Sequence, residues 1–366
     1  MAAFAMYRRP YANTYTKVVQ DKGEPIILHD YSALSAFHGF CIAPFAISED
    51  CPILVVCPDR VEEMAVPEML KDACNAIPST PSKHRASYTQ TFERFHSALI
   101  DGAFRKLVLS RCVEEELLDG NSSEEELLDG NNCEELFFHA CNLYPRMFVA
   151  LVSSEKSGTW LAATPEILLD GSGDEWHTMA LAGTMRLKDS QLSFDTPMNE
   201  DGGVEITWST KNIQEQHCVA TYIKDCLAKF SDDIHEEGPT TVRAGNLVHL
   251  RSDFRFRLAP DVNIGKLLEA LHPTPAVCGL PKAEAYRFIL DNEHYPRRYY
   301  SGFMGPLSIN GSTQLYVSLR CMEIKDNKCT LYAGGGLLKD SQEEMEWNET
   351  EAKLETMRRC IAIKKM

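Results

Sequence analysis

Along this chain, short apolar runs of strand length and a few long amphipathic segments alternate without a fixed rhythm, and this limits the fold more than any other feature. A strand–helix–strand repeat would bring helices at regular intervals. Strands that come in groups, broken irregularly by helices, predict an α+β fold instead. Ile26–Leu28 and Pro52–Val56 read as strands of an N-terminal meander. Phe92, Phe95 and Leu99 recur at helical spacing and predict a helix over 88–101, followed by a strand at 106–111. A helix is expected over 132–144, then strands at 147–152, 159–170 and 175–182. Residues 209–230 read as a long helix with Ile213, Ala220, Ile223, Leu227 and Phe230 near one stripe. Further strands fit 247–258, 300–309, 313–324 and 328–334. The last helix is expected over 341–363, with Ser341 as N-cap and Glu344 completing a capping box. No Pro/Ser/Gly-rich linker interrupts the 366 residues, so residues 1–85 are expected to be a strand-rich part of the same single domain as 86–366.

The net charge of −16 argues against a nucleic-acid partner, which would call for a basic face. An anionic ligand is still compatible with it if positive charge is concentrated locally. The 13 cysteines are odd in number, scattered and without a CxxC pair, as expected of reduced thiols in a cytoplasmic protein. No apolar run approaches membrane-spanning length, and Met1–Pro10 has no signal-peptide core, so no membrane partner is expected. The segment Glu114–Asn121 recurs as Glu124–Asn131, which reads as a local duplication lengthening an exposed acidic loop.

Several residues could carry chemistry. Glu346, Glu349 and Lys353 share one face of the last helix. Adjacent carboxylates repel unless a cation joins them, so the face either holds a hard divalent ion such as Mg²⁺ or is solvated. Gly334, Gly335 and Gly336 end a strand just before that helix and permit close approach of an anion, or mark only a turn. Lys106 shares a strand face with Val108 and Ser110. If that face is interior, desolvation makes its amine a usable base; otherwise it is a surface lysine. Glu166, set among apolar residues, is a candidate general acid or a solvated strand end. Arg320 suits a carboxylate or a structural ion pair.

Nine segments together resemble the chorismate-utilising enzymes, the isochorismate, salicylate, anthranilate and aminodeoxychorismate synthases. They are KLVLSR (106–111), ATPEILL (163–169), ALAGTMR (180–186), STKNIQEQH (209–217), LVHL (247–250), LHPTPAVCGLPK (271–282), RRYYSGFMG (297–305), LYVSLR (315–320) and AGGGLLKDSQEEMEWNETEAKLE (333–355). They occur in the family's order, spanning about residues 85–360, while the first 85 residues match poorly. The resemblance implies antiparallel sheets packed face to face with helices outside, and a catalytic region over 86–366.

It also implies roles. Lys106 would activate a water attacking ring carbon two of chorismate, and Glu166 would protonate the hydroxyl leaving carbon four. Glu215 and Glu349, with Glu346 nearby, would hold Mg²⁺ against the ring carboxylate. Tyr300, Arg320 and the amides of Gly334–Gly336 would hold the enolpyruvyl carboxylate, and Gly183, Thr184, His272 and Lys353 would line the site. Ammonia-using members usually carry glutamine at the position of Lys106, and lysine-nucleophile members carry lysine at that of Ala182. The implied activity is therefore that of an isochorismate synthase, an isomerase needing no glutamine amidotransferase subunit and expected as a monomer. Its product would feed menaquinone in preference to siderophore biosynthesis. Salicylate synthase, which goes on to eliminate pyruvate, and an inactive chorismate-binding homologue are the alternatives. One departure stands out: the family's KDRxEH reads Lys211-Asn212-Ile213-Gln214-Glu215-Gln216, with altered neighbours around the metal-ligand position.

Overall fold

The computed structural model describes residues 3–68, 85–116, 130–186, 207–244 and 247–361. The chain begins with β1 (Ala3–Arg8), β2 (Thr14–Gln20), β3 (Ile26–Leu28), β4 (Gly39–Ala43), β5 (Ile53–Val56) and β6 (Arg60–Ala65). Helix α1 (Arg85–Ile100), β7 (Lys106–Glu116), α2 (Gly130–Leu143), β8 (Phe148–Ser154), β9 (Gly158–Thr164), β10 (Ile167–Ser172) and β11 (Glu175–Arg186) follow. Next come α3 (Thr210–Leu227), β12 (Ile234–Ala244), β13 (Leu247–Arg257), α4 (Ile264–Leu271), β14 (Gly279–Leu280) and α5 (Lys282–Asn292). The described chain ends with β15 (Phe303–Leu307), β16 (Ser312–Val317), β17 (Cys321–Lys325), β18 (Lys328–Leu337) and α6 (Glu343–Ile361).

The strands form two nine-stranded antiparallel sheets, ordered β14-β7-β18-β17-β9-β8-β1-β2-β6 and β12-β13-β11-β10-β16-β15-β4-β5-β3. Side chains alternate across each strand, so every central strand serves two cores. In β1, Ala3, Ala5 and Tyr7 face the second sheet, where Phe40, Ile42, Met304 and Tyr316 meet them. Met6 points the other way, into the layer under α2 and α6 with Phe137, Leu354 and Met357. Across the sheet interface Phe148 stacks on Tyr316, with centroids 4.0 Å apart and planes 3° from parallel. Helices α3 and α4 cover the outer face of the second sheet through Val219, Ile223, Leu227, Leu267 and Leu271. Helices α1 and α5 close the β7 end, where Phe92, Phe95 and Ile289 meet Leu107 and Leu109. The α+β architecture of face-to-face antiparallel sheets with helices outside is the one expected.

Two expected strands are each two strands in different sheets. The run 159–170 breaks at Pro165 and Glu166, so β9 lies in the first sheet and β10 in the second. Proline has no N–H to continue a ladder, and Glu166 N–H turns to the Thr164 hydroxyl at 3.3 Å. The run 313–324 breaks at 318–320, with Arg320 at φ +47°, and passes from β16 back to β17. Hydrophobic patterning is blind to such crossings, because the residues stay apolar while their partners change.

Smaller differences have local causes. Ile213 leaves the expected stripe and is 52% exposed. Ser341 does not form the expected capping box. Helix α6 starts at Glu343, and the Ser341 hydroxyl accepts from Leu338 N–H at 3.0 Å. Strand β12 went unanticipated because its His-Glu-Glu-Gly-Pro-Thr-Thr stretch is exposed and polar; α4 and α5 were also missed. The first copy of the acidic duplication begins inside β7 as Glu114–Glu116, and the second ends inside α2; residues 117–129 between them, like 362–363 of the expected last helix, lie outside the described residues.

Replacing Phe148 by alanine removes the stacking contact between the sheets. The substitution is expected to lower unfolding stability by about 3–5 kcal/mol. A fall in the urea midpoint at unchanged slope would register this, whereas an unmoved midpoint would assign the contact no energetic weight.

Candidate active site

The two crossings, the end of β18 and the start of α3 converge on a cavity between the sheets. Glu166, Gly183, Thr184, Glu215, Tyr300, Arg320, Gly334, Gly336 and Lys353 line it, all named from sequence. The first crossing carries Glu166 and the second carries Arg320, so both reach the inter-sheet space from bends in the chain. Gly183 sits at a bulge in β11 at φ +69°, packed against Asn212 of α3. Strand β18 pairs with β7 through Leu337, but its pairing with β17 on the other edge stops at Leu331, leaving that edge open over Tyr332–Leu337 beside the cavity among the described residues.

Sterics require the glycines here. A Cβ on Gly336 would lie 2.0 Å from Glu215 Oε1 and 3.0 Å from Lys106 Cε, and one on Gly334 would lie 2.7 Å from the Tyr300 hydroxyl. Gly335 faces away from the cavity toward α6, where its Cβ would be 3.4 Å from Glu346 Oε2 and 3.8 Å from Glu349 Oε1. Gly335, Glu346 and Glu349 therefore stand behind the cavity wall. Lys106 is 0% exposed on the interior face of β7, its Nζ 2.9 Å from Glu215 Oε1.

His272 does not join the site. As the residue after α4 it turns under β15, its ring centroid 5.7 Å from Tyr31 and 5.1 Å from Phe303, with Nε2 3.2 Å from Pro44 O. Burial pushes its imidazole down to about 3, so it is a neutral core residue.

The two buried carboxyls of the cavity are tuned in opposite directions. Burial raises Glu166 to about 8, against the pull of Lys106, Lys353 and Arg320, so it is largely protonated at neutral pH. Burial also pushes Glu215 up, but the ammonium groups of Lys106 and Lys211 outweigh it and hold the carboxyl below its ordinary value. Burial pushes the Arg320 guanidinium down to about 10, which leaves it charged. Its Nη1 donates to Ala244 O at 3.0 Å, and its Nη2 lies 2.6 Å from His249 Nε2.

His249, within the LVHL segment, also lines the cavity. Burial first, then Arg320 and Lys353, hold its imidazole well below the usual value, so it is neutral. Nε2 accepts from the guanidinium, which puts the proton on Nδ1, 3.1 Å from Gly183 O. The pair fixes Arg320 against the β11 bulge. Lys211, noted only as part of the altered motif, forms an ion pair with Glu346. Around it, Gln216 accepts from Ala182 N–H at 2.9 Å and donates to Ala180 O at 3.1 Å and Ser252 Oγ at 3.2 Å, binding α3 to β11. The altered motif thus still holds Glu215 in place.

Glu215, Glu346 and Glu349 are the expected metal ligands. Among the described residues no three His, Cys, Asp or Glu side chains converge on one point, and each of these glutamates is paired with a lysine. Their donor chemistry nevertheless suits a hard divalent cation: all are carboxylates, and the buried Glu346 Oε2 has no partner.

Comparison with known proteins agrees with this geometry. A family model described as chorismate binding enzyme matches residues 59–362. The isochorismate synthase DhbC of Bacillus subtilis is 30% identical over 77% of this chain and 69% of its own length. The isochorismate synthase EntC of Escherichia coli K12 is 30% identical over 55% of this chain, which there spans only 50% of the relative. The structure of DhbC from Bacillus anthracis superposes with a TM-score of 0.77 at 20% identity, covering 99% of this chain and 96% of that one. With the fold, the ordered motifs and these matches in agreement, the chain belongs to the family of chorismate-binding enzymes.

Proposed function

We propose that the protein converts chorismate to isochorismate by adding water at ring carbon two with loss of the carbon-four hydroxyl. The observation that carries this reading is a cavity lined by a carboxyl kept protonated, Glu166, with a wholly buried lysine, Lys106, behind its wall against Glu215. Water addition with loss of hydroxide needs one group to give a proton, which the protonated Glu166 can do, and another to take one, the role this reading assigns to Lys106. In its amine form Lys106 takes a proton from the water whose oxygen bonds to carbon two. The ring double bond shifts, the carbon–oxygen bond at carbon four breaks, and Glu166 gives its proton to the departing oxygen. One water enters and one leaves, so the net change is an isomerisation. Because water is the nucleophile, the reading calls for no ammonia-supplying subunit.

Arg320, held by His249 and Ala244 O, and Lys353, held by Gly334 O at 2.8 Å, offer fixed positive charge for a substrate carboxylate. Glu215, Glu346 and Glu349 would hold Mg²⁺, which neutralises the ring carboxylate when bound. Tyr300 and the open edge of β18 would complete the hold on the enolpyruvyl group.

Incubation of the purified protein with chorismate and Mg²⁺ is expected to give isochorismate without pyruvate. Pyruvate in step with salicylate would replace this reading with a salicylate synthase, and absence of turnover would refute it. Lys106→Ala should lower kcat by about 10³-fold with an unchanged circular dichroism spectrum, and near-wild-type turnover would remove the proposed base.

The pH profile follows from Glu166. Only its protonated form can act as the acid, and its free-enzyme value is about 8. The ratio kcat/KM should therefore fall as pH rises through about 8 and the acid loses its proton. A profile flat across this range would exclude Glu166 as the acid.

A further inference from the structure

Three carboxylates and three ammonium groups meet one to one beside the cavity. Glu215 faces Lys106 at 2.9 Å, Glu349 faces Lys353 at 2.7 Å, and Glu346 faces Lys211. Two of the lysines are fixed. Lys106 is fully enclosed, and Lys353 also donates to Gly334 O at 2.8 Å. Lys211 is held differently. Among the described residues its Nζ hydrogen-bonds Glu346 and nothing else, and its side chain keeps 22% exposure against 2% for that of Glu346. Its charge acts on Glu215 and Glu349 as well as on Glu346, so one ammonium group serves all three carboxylates.

We propose that the Lys211 ammonium is a resident counter-ion of the three-glutamate cluster, and that a divalent cation binds by displacing it into solvent. The inference rests on the reading that these glutamates hold the cation. Glu346 is buried beside Glu349 and cannot stand there charged without compensation. Lys211 supplies one positive charge, and a divalent ion supplies two to the same carboxylates, including the unpartnered Glu346 Oε2. The displaced ammonium regains full hydration at the end of a flexible stem already open to water, which a lysine does more readily than an arginine. Lys106 is enclosed, and Lys353, at a similar 19% side-chain exposure, is held by a second hydrogen bond to Gly334 O. Binding is then an exchange, and the cation's apparent affinity is reduced by the fraction of molecules in which Lys211 occupies the cluster.

The test uses the full chain and the metal alone, with no chorismate. Mg²⁺ binding is measured by calorimetry and Mn²⁺ binding by electron paramagnetic resonance, for wild type, Lys211→Met, Lys211→Gln, Lys211→Arg and Glu349→Gln. Removing the competing charge should tighten the dissociation constant by about tenfold or more in the Met and Gln variants, while Lys211→Arg binds no more tightly than wild type. The metal-free thermal midpoint of Lys211→Met should fall below that of wild type and recover on adding Mg²⁺. If Lys211→Met folds only with Mg²⁺ present, this too supports the exchange, and Lys211→Gln, which keeps a donor for Glu346, supplies the affinity. Equal or weaker metal binding by the folded Met or Gln variant overturns the proposal. The underlying metal-site reading fails separately, if wild type binds neither ion or if Glu349→Gln binds as wild type does.

Discussion

A charge taken out of water between two apolar sheets must be balanced within a few ångströms or given up. The buried acids and bases at and behind the cavity wall answer that demand in different ways. Lys106 and Lys211 hold Glu215 below its ordinary value against burial, whereas burial and the neighbouring Glu349 raise Glu346 against the pull of Lys211. Arg320 keeps its charge while a neutral imidazole and a carbonyl take its hydrogen bonds. Glu166 forms no ion pair among the described residues, and burial outweighs the pull of Lys106, Lys353 and Arg320 and leaves it protonated. Two chemically similar side chains, Glu166 and Glu215, thus reach opposite protonation states in one cavity. That difference is what an acid and a metal-ligand carboxylate require.

The backbone makes the balance possible. At two of its passages from one sheet to the other, 165–166 and 318–320, the chain bends so that one functional side chain reaches the space between the sheets. The glycines of β18 then let the Glu215 carboxylate and the Lys106 stem lie against the strand, where any Cβ on Gly336 would collide with them. Helix α3 is tied to β11 through Gln216, so the altered residues around Glu215 still fix its position.

Much of this was readable from the residues. Short apolar runs gave most strands, helical spacing gave α1 and α3, a cap signal pointed to α6, and irregular grouping gave the α+β class. Nine of the expected site residues line the cavity, because motifs at fixed places in the order carried them there. Other features left no local trace. His272 lies within a matching segment yet turns into an aromatic cluster, and no spacing rule says which way a residue after a helix will face. His249 and Lys211 matter through partners about 70 and 135 positions away, Arg320 and Glu346.

The sequence by itself determined the local periods, the positions of glycine and proline that permit bends and close contacts, and the supply of carboxylates, amines and a guanidinium. Tertiary structure alone decided which strands belong to which sheet, which lysine answers which glutamate, and which carboxyl would go unpaired and hold its proton. The physical reason is range. Propensity and patterning act over a few residues, whereas desolvation and charge pairing depend on neighbours that only the closed sheets bring together.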